Sequence, residues 1–172
     1  MSAFSKLKKQ IDGLFDPVLK MEFCCSAYPM RPKNGYATRS IPRFYVKLDK
    51  KIIWDFPKDF DVDPRSSEWC TDNGISALVR EYIDTPVSEI LHKEFSGEYL
   101  RFGYNRKGSP KTSRAKQSDP DVVVSLTDLF KAADRRIGKE KLVQWSGSVK
   151  NFKAYTIICV RLYGWEGIIK QP

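Results

Sequence analysis

The residues with the most chemical potential in this chain are its cations, and they fall in two clusters. One is Arg106, Lys107, Lys111, Arg114 and Lys116, spread through a stretch of small polar residues with Pro110 inside it. The other is Arg135, Arg136 and Lys139, with Lys131 one helical turn earlier and Lys141 just beyond. Arginine offers a planar fork of donors that matches phosphate oxygens. Several Lys and Arg contacts together give the salt-dependent grip that holds polyanions. Both clusters therefore mark where phosphate would dock. The second has a plainer use as well. Cations in a last helical turn complement the helix dipole by about 0.3–1 kcal/mol, and Asp134 can pair locally with Lys131.

Other chemistries have thinner support. Arg101-Phe-Gly-Tyr-Asn-Arg-Lys107 interleaves bases with aromatics, a composition that can stack nucleobases while holding their backbone. Zinc needs about four Cys, His or carboxylate ligands at workable spacing. The chain has one histidine, His92, and no Cys-x-x-Cys, so no metal site is expected. Adjacent Cys24 and Cys25 on a strand would point to opposite faces. A Cys–His catalytic pair has only His92 to draw on, and that residue falls off the apolar stripe of its helix. Asp49-Lys50-Lys51, with Glu22 or Asp55 as a second carboxylate, has the acidic-x-Lys form of some magnesium-dependent nucleases. Asp and Lys also suit a solvated turn. No glycine loop of the phosphate-cradling kind occurs, and no cofactor is expected.

The elements that would position these groups can be read from periodicity. Phe4, Leu7, Ile11, Leu14 and Phe15 recur at helical spacing, with Pro17 as a stop. Leu19, Met21, Phe23 and Cys25 alternate with polar residues, predicting a strand with one buried face. Arg43–Asp49 and Lys51–Phe56 predict two more strands joined by a tight hairpin at Asp49-Lys50, although the favoured Asn-Gly is missing. Ile75, Leu78, Val79, Tyr82 and Ile83 give a helix. Thr85 as cap and Pro86 as first residue start another, carrying Val87, Ile90, Leu91 and Phe95. Tyr99 to Tyr104 fits a short strand, and residues 105–121 a long, basic, flexible loop. Ser125 and Asp128 resemble a capping box ahead of the stripe Leu126, Leu129, Phe130, Ala133 and Ile137. Gly138 fits the end of that helix, and a short helix at about 139–145 follows. Residues 151–163 fit a helix by spacing and a strand by β-branched content, with helix preferred.

The 172 residues suit one domain with a real core. Their 41% hydrophobic and 13% aromatic content argues against global disorder. The expectation is a single α+β domain: a small antiparallel sheet over about residues 18–56, covered on one face by helices. No secretory signal or apolar run of membrane-spanning length is present, and the four cysteines form no disulfide framework, which predicts a reducing cytoplasm and no membrane. The net charge of +9 is unevenly placed. Residues 1–55 carry eleven Lys/Arg against five Asp/Glu, residues 56–100 four against ten, and residues 101–172 fifteen against six. A field so divided attracts nucleic acid or an acidic protein, unless the acidic middle packs against the basic ends and cancels it.

Ser5-Lys-Leu-Lys-Lys9, Tyr45-Val-Lys-Leu-Asp-Lys-Lys-Ile-Ile-Trp54, Arg80-Glu-Tyr-Ile-Asp-Thr-Pro86, Lys93-Glu-Phe95 and Asp128-Leu-Phe-Lys-Ala-Ala-Asp-Arg-Arg-Ile-Gly-Lys139 resemble, in that order, a family of small uncharacterised bacterial cytoplasmic proteins. The likeness covers most of the chain in pieces and is most specific over Ala132 to Leu142. Residues 105–121 look like an insertion relative to that pattern, and Lys50 stands where a turn glycine is more usual. The resemblance implies a cytoplasmic compartment and a continuous fold; the family has no established activity to carry over.

Together these readings predict a non-enzymatic intracellular protein engaging a polyanion, nucleic acid before membrane. The alternatives are a protein–protein module, such as an inhibitor or immunity-type partner of an acidic protein, and the magnesium-dependent nuclease.

Overall fold

A computed structural model describes residues 3–29, 40–56, 58–60, 74–96 and 120–169. The order is α1 (Ala3–Asp12), a 3-10 turn (Pro17–Leu19), β1 (Met21–Pro29), β2 (Ser40–Leu48), β3 (Lys51–Phe56), α2 (Gly74–Asp84), α3 (Val87–Ile90), α4 (Pro120–Ala133), α5 (Lys139–Ser146) and α6 (Phe152–Ile169). This is an α+β fold around a three-stranded antiparallel sheet, β1-β2-β3. The predicted meander stands. Its first strand starts at Met21 because Asp16 caps the 3-10 turn through the Val18 N–H, which takes Leu19 out of the strand.

Strand alternation divides the sheet into two faces. Phe23, Phe44, Val46, Trp54 and Phe56 enter the core. Phe23 stacks on Phe44 at 6.0 Å and meets Phe130 of α4 edge-on at 5.8 Å, and Tyr82 of α2 meets Phe130 at 5.3 Å. The predicted α4 stripe of Leu126, Leu129, Phe130 and Ala133 is fully buried in the same core. Among the described residues, no helix is long and apolar enough to cross a membrane.

Both edges of the sheet are blunted. On β1 the outward Phe23 N–H donates to Asp12 Oδ1 (2.8 Å), while Lys8 Nζ donates to the Phe23 carbonyl (3.0 Å) and to Asp12 (2.5 Å). Two side chains of α1 thus occupy the place of a fourth strand. On β3 the register shifts opposite Val46/Lys47, and Asp59 accepts the Asp55 N–H at 3.0 Å. Bulges and charged clips of this kind oppose edge-to-edge pairing.

The hairpin turn is where predicted. Asp49 and Lys50 both have positive φ, 43° and 70°, as a type I′ turn requires. Left-handed backbone costs an L-residue about 1–2 kcal/mol. Replacing Lys50→Gly is therefore expected to raise stability by about 0.5–1 kcal/mol after glycine's larger unfolded-state entropy is subtracted. Urea unfolding checks this, and a lower midpoint would contradict the turn geometry.

Three helix boundaries differ from expectation. Helix α4 begins at Pro120, not Ser125; Pro120 at the first position and Asp121 in the first turn suit a helix start. Ser125 lies inside the helix, donating to the Val122 carbonyl and accepting the Trp54 indole N–H at 3.0 Å, so it pins the sheet to α4. Gly138 does not close α4; it has φ −67° and precedes α5 as its cap. Thr85 does not cap α3. Its hydroxyl donates to the Glu81 carbonyl at the end of α2, and Pro86 is the cap residue of a four-residue helix. Residues 152–169 are helical, with a kink at Gly164, whose φ of 75° suits glycine.

Candidate nucleic-acid interface

The second predicted cluster lies after α4, and its residues take separate paths. Helix α4 stops at Ala133 because the chain there pairs with the segment after α1: Asp16 N–H donates to Ala133 O and Arg135 N–H to Leu14 O, both at 2.8 Å. The carbonyl that would continue the helix is thereby taken. Lys131 and Arg135 consequently do not share a helical face, and Asp134 does not pair with Lys131. Asp134 is fully buried. It accepts from Tyr82 Oη (3.0 Å), from the Arg136 N–H (2.9 Å) and from the Arg136 guanidinium (2.7 Å to Nη2). Burial, then the Asp134 charge, pushes the Tyr82 hydroxyl well above its ordinary range, which keeps it a donor. Its hydrogen bond to Asp134 holds the Arg136 guanidinium further up still.

Arg136 is thus engaged with a buried carboxylate. Lys131 lies between Asp128 and the Phe95 ring, 5.6 Å from its centroid. Burial pushes the Lys131 ammonium down and the Asp128 carboxyl up. Arg135 and Lys139 are exposed. Arg106, Lys107, Lys111, Arg114 and Lys116, with the strand expected at Tyr99–Tyr104, lie outside the described residues. The expected cluster after α4 thus has Arg135 and Lys139 exposed, with Lys131 and Arg136 engaged by neighbours.

A different set converges. On the sheet's polar face, Cys24, Tyr45 and Asp55 form one row and Glu22, Lys47 and Ile52 the next. Arg43 lies over the Tyr45 ring at 5.1 Å and Lys47 at 5.6 Å, so an aromatic splints two cations of β2. Arg43 also grips both oxygens of buried Asp55, at 2.7 Å through Nε. Next to this pair is a cleft of about 370 Å³ lined by Arg43 and Asp55 themselves and by Ile52, Lys58, Asp59 and Lys153. Its cations come from β2, from the turn after β3 and from the first turn of α6. Asn151 holds that helix start in place, its Oδ1 accepting the N–H groups of Lys153 (3.1 Å) and Ala154 (3.3 Å). Among the described residues, Lys47, Lys58 and Lys153 form no ion pair. One signal for this face was in the sequence: Arg43, Tyr45 and Lys47 are the residues that alternate with the apolar ones of β2.

A larger cleft of about 660 Å³, lined in part by Arg80, Glu81, Thr85 and Lys93, is less suited to an anion. Lys93 there is committed to Glu81 (3.3 Å) and to the Thr85 hydroxyl (3.2 Å).

Of the carboxylates expected to join Asp49, Asp55 does not approach it. Asp49 sits at the hairpin tip, 3.7 Å from Lys20. Asp55 is bound by Arg43 near the other end of β3, about 13 Å along the strand from Lys51 at roughly 3.3 Å per residue. Among the described residues no group of three His, Cys, Asp or Glu could hold a metal ion. Cys24 is buried and its thiol is pushed up by that burial, the state of an unreactive cysteine.

No family model, curated protein or solved structure matches the chain. The reading of function rests on the geometry of these side chains.

Proposed function

We propose that this is a non-enzymatic protein that binds a polyanion, nucleic acid in the first place, and that the polar face of the sheet is a contact surface. The observation that carries this is the convergence of Lys58 and Lys153, from two elements, on one cleft beside the Arg43–Asp55 pair. The Arg43–Asp55 pair is neutral as a unit, and with Asp59 also in the lining, Lys58 and Lys153 leave the cleft with one net positive charge. Phosphate contacts release condensed counterions, so each one adds about 0.7–0.9 to the slope of log affinity against log salt.

The test is a titration of a fluorescent oligonucleotide at stepped salt with the wild-type chain and with Lys58→Glu/Lys153→Glu. Affinity is expected to fall linearly on logarithmic axes, and the double variant to bind more weakly with a slope shallower by about 1.4–1.8. Absence of salt-dependent binding, or a double variant that binds like wild type, rejects the proposal.

One observation favours the second reading, an acidic protein partner. Ile52 is 45% exposed in the cleft and Phe152, beside Lys153, is 78% exposed. Apolar side chains among cations suit a protein contact. A protein retained from nuclease-treated lysate by the wild-type chain and lost with the double variant would favour that partner over nucleic acid.

A further inference from the structure

A second groove, of about 320 Å³, lies between α3 and α5. Lys141, Gln144 and Trp145 face it at positions i, i+3 and i+4 of α5, and Ser88, Leu91 and His92 face it with the same spacing from the α3 side. We infer that this groove binds one nucleotide unit, the base lying on the Trp145 indole and the phosphate held by Lys141 and His92.

Three observations carry the inference. The first is the state of Trp145. The described tryptophans otherwise spend their indole N–H groups inside the protein: Trp54 donates to Ser125 Oγ and Trp165 to the Val18 carbonyl, each at 3.0 Å. The half-buried Trp145 has no such partner among the described residues. A tryptophan packed against the core that also lines a groove, with its donor unused among the described residues, suits a ring that meets a ligand.

The second is the polarity of the lining. Lys141, His92, Gln144 and Ser88 all bring donors, and no Asp or Glu lines the groove among the described residues. Glu89 and Glu140 are neighbours in sequence but not lining residues. Lys141 makes no ion pair among the described residues. The third is size. About 320 Å³ is the lower end of the roughly 300–1,000 Å³ typical of small-ligand pockets, too small for a duplex and suited to one planar group with its charged tail. An aromatic platform beside cations is how proteins hold unpaired bases.

The ligand chemistry has two sources, a free nucleotide or one unit of a single strand. The site is separate from the sheet face and does not rest on that reading. The probes are adenosine monophosphate, adenosine, inorganic phosphate and a short single-stranded deoxyadenosine oligomer, each titrated into the full chain while tryptophan emission is followed.

Adenosine monophosphate or the oligomer is expected to quench part of the emission saturably. Adenosine should bind at least about tenfold more weakly, and phosphate alone should leave emission unchanged. Trp145→Phe should abolish the quenching. Lys141→Glu, an exposed change that should leave folding intact, should weaken adenosine monophosphate about tenfold without affecting adenosine. The Lys58→Glu/Lys153→Glu chain should be quenched normally, which keeps this result distinct from the sheet-face test. Tighter, salt-sensitive binding of the oligomer assigns the groove to a strand; equal or tighter binding of the monophosphate assigns it to a free nucleotide. Absence of quenching by both probes, or a normal response from Lys141→Glu, overturns the inference.

Discussion

Asp134→Ala is expected to lower the unfolding free energy by about 3–5 kcal/mol, the usual cost of breaking a buried ion pair from one side. The reason lies in what the alanine leaves behind. Tyr82, itself fully buried, loses the acceptor of its hydroxyl, and Arg136 loses the carboxylate that receives its N–H and its guanidinium. Tyr82 is sealed from water, whereas Arg136, 26% exposed, recovers part of what it loses. A domain is stable by only about 5–15 kcal/mol, so the loss should remove a large share of the stability and lower the urea midpoint accordingly. Tyr82→Phe alone should cost about 1–1.5 kcal/mol, since it removes one hydrogen bond and keeps the ion pair. The double variant should cost less than the sum of the two, because both changes act on one network. A loss below about 1 kcal/mol for Asp134→Ala would mean the cluster contributes no more than an exposed pair.

Arg161→Met is expected to cost about 2–4 kcal/mol, from polar groups left without partners. Arg161 is 8% exposed and projects from α6 into the end of α4. It donates to Ala132 O (3.0 Å), Ile137 O (2.9 Å) and Asp16 Oδ2 (3.1 Å). The last carbonyls of a helix have no partner within it, and here one guanidinium serves the end of α4, the chain beyond it and the turn after α1. Methionine fills the volume and satisfies none of these. Arg161→Lys should recover only part of the loss, because an ammonium cannot reach three acceptors in a fork. Thermal melts of the two variants decide it; full rescue by lysine would show that charge alone, without the fork geometry, is what matters. Both predictions concern stability and leave the anion sites untouched; loss of binding without loss of folding is the outcome expected of changes at Lys58, Lys153 or Lys141.

The strands and helices were legible because their signals are local. Met21 and Phe23 alternate with polar neighbours, Leu126, Leu129, Phe130 and Ala133 recur at helical spacing, and each pattern has one way to bury its apolar side. Asp49-Lys50 was legible as a turn from its position between two such strands. The boundary errors share a different cause. Ser125 has the side chain of a cap, but Trp54, 71 residues away in sequence, uses its hydroxyl. Thr85 likewise closes the helix before it. A hydroxyl has several possible partners, and local sequence does not rank them.

Sequence alone determined the α+β composition, the meander and the core stripes of this protein, since periodicity and turn chemistry act over a few residues. Tertiary structure decided which charges are free. Arg136 looked available and is held by a buried carboxylate, because pairing of Arg135 with Leu14 ends the helix and turns Asp134 inward. Arg43, Lys58 and Lys153 looked unrelated and share a cleft. Charge is a property of a residue, whereas a binding site is a property of distance, and distances between residues far apart in the chain exist only once the core has closed.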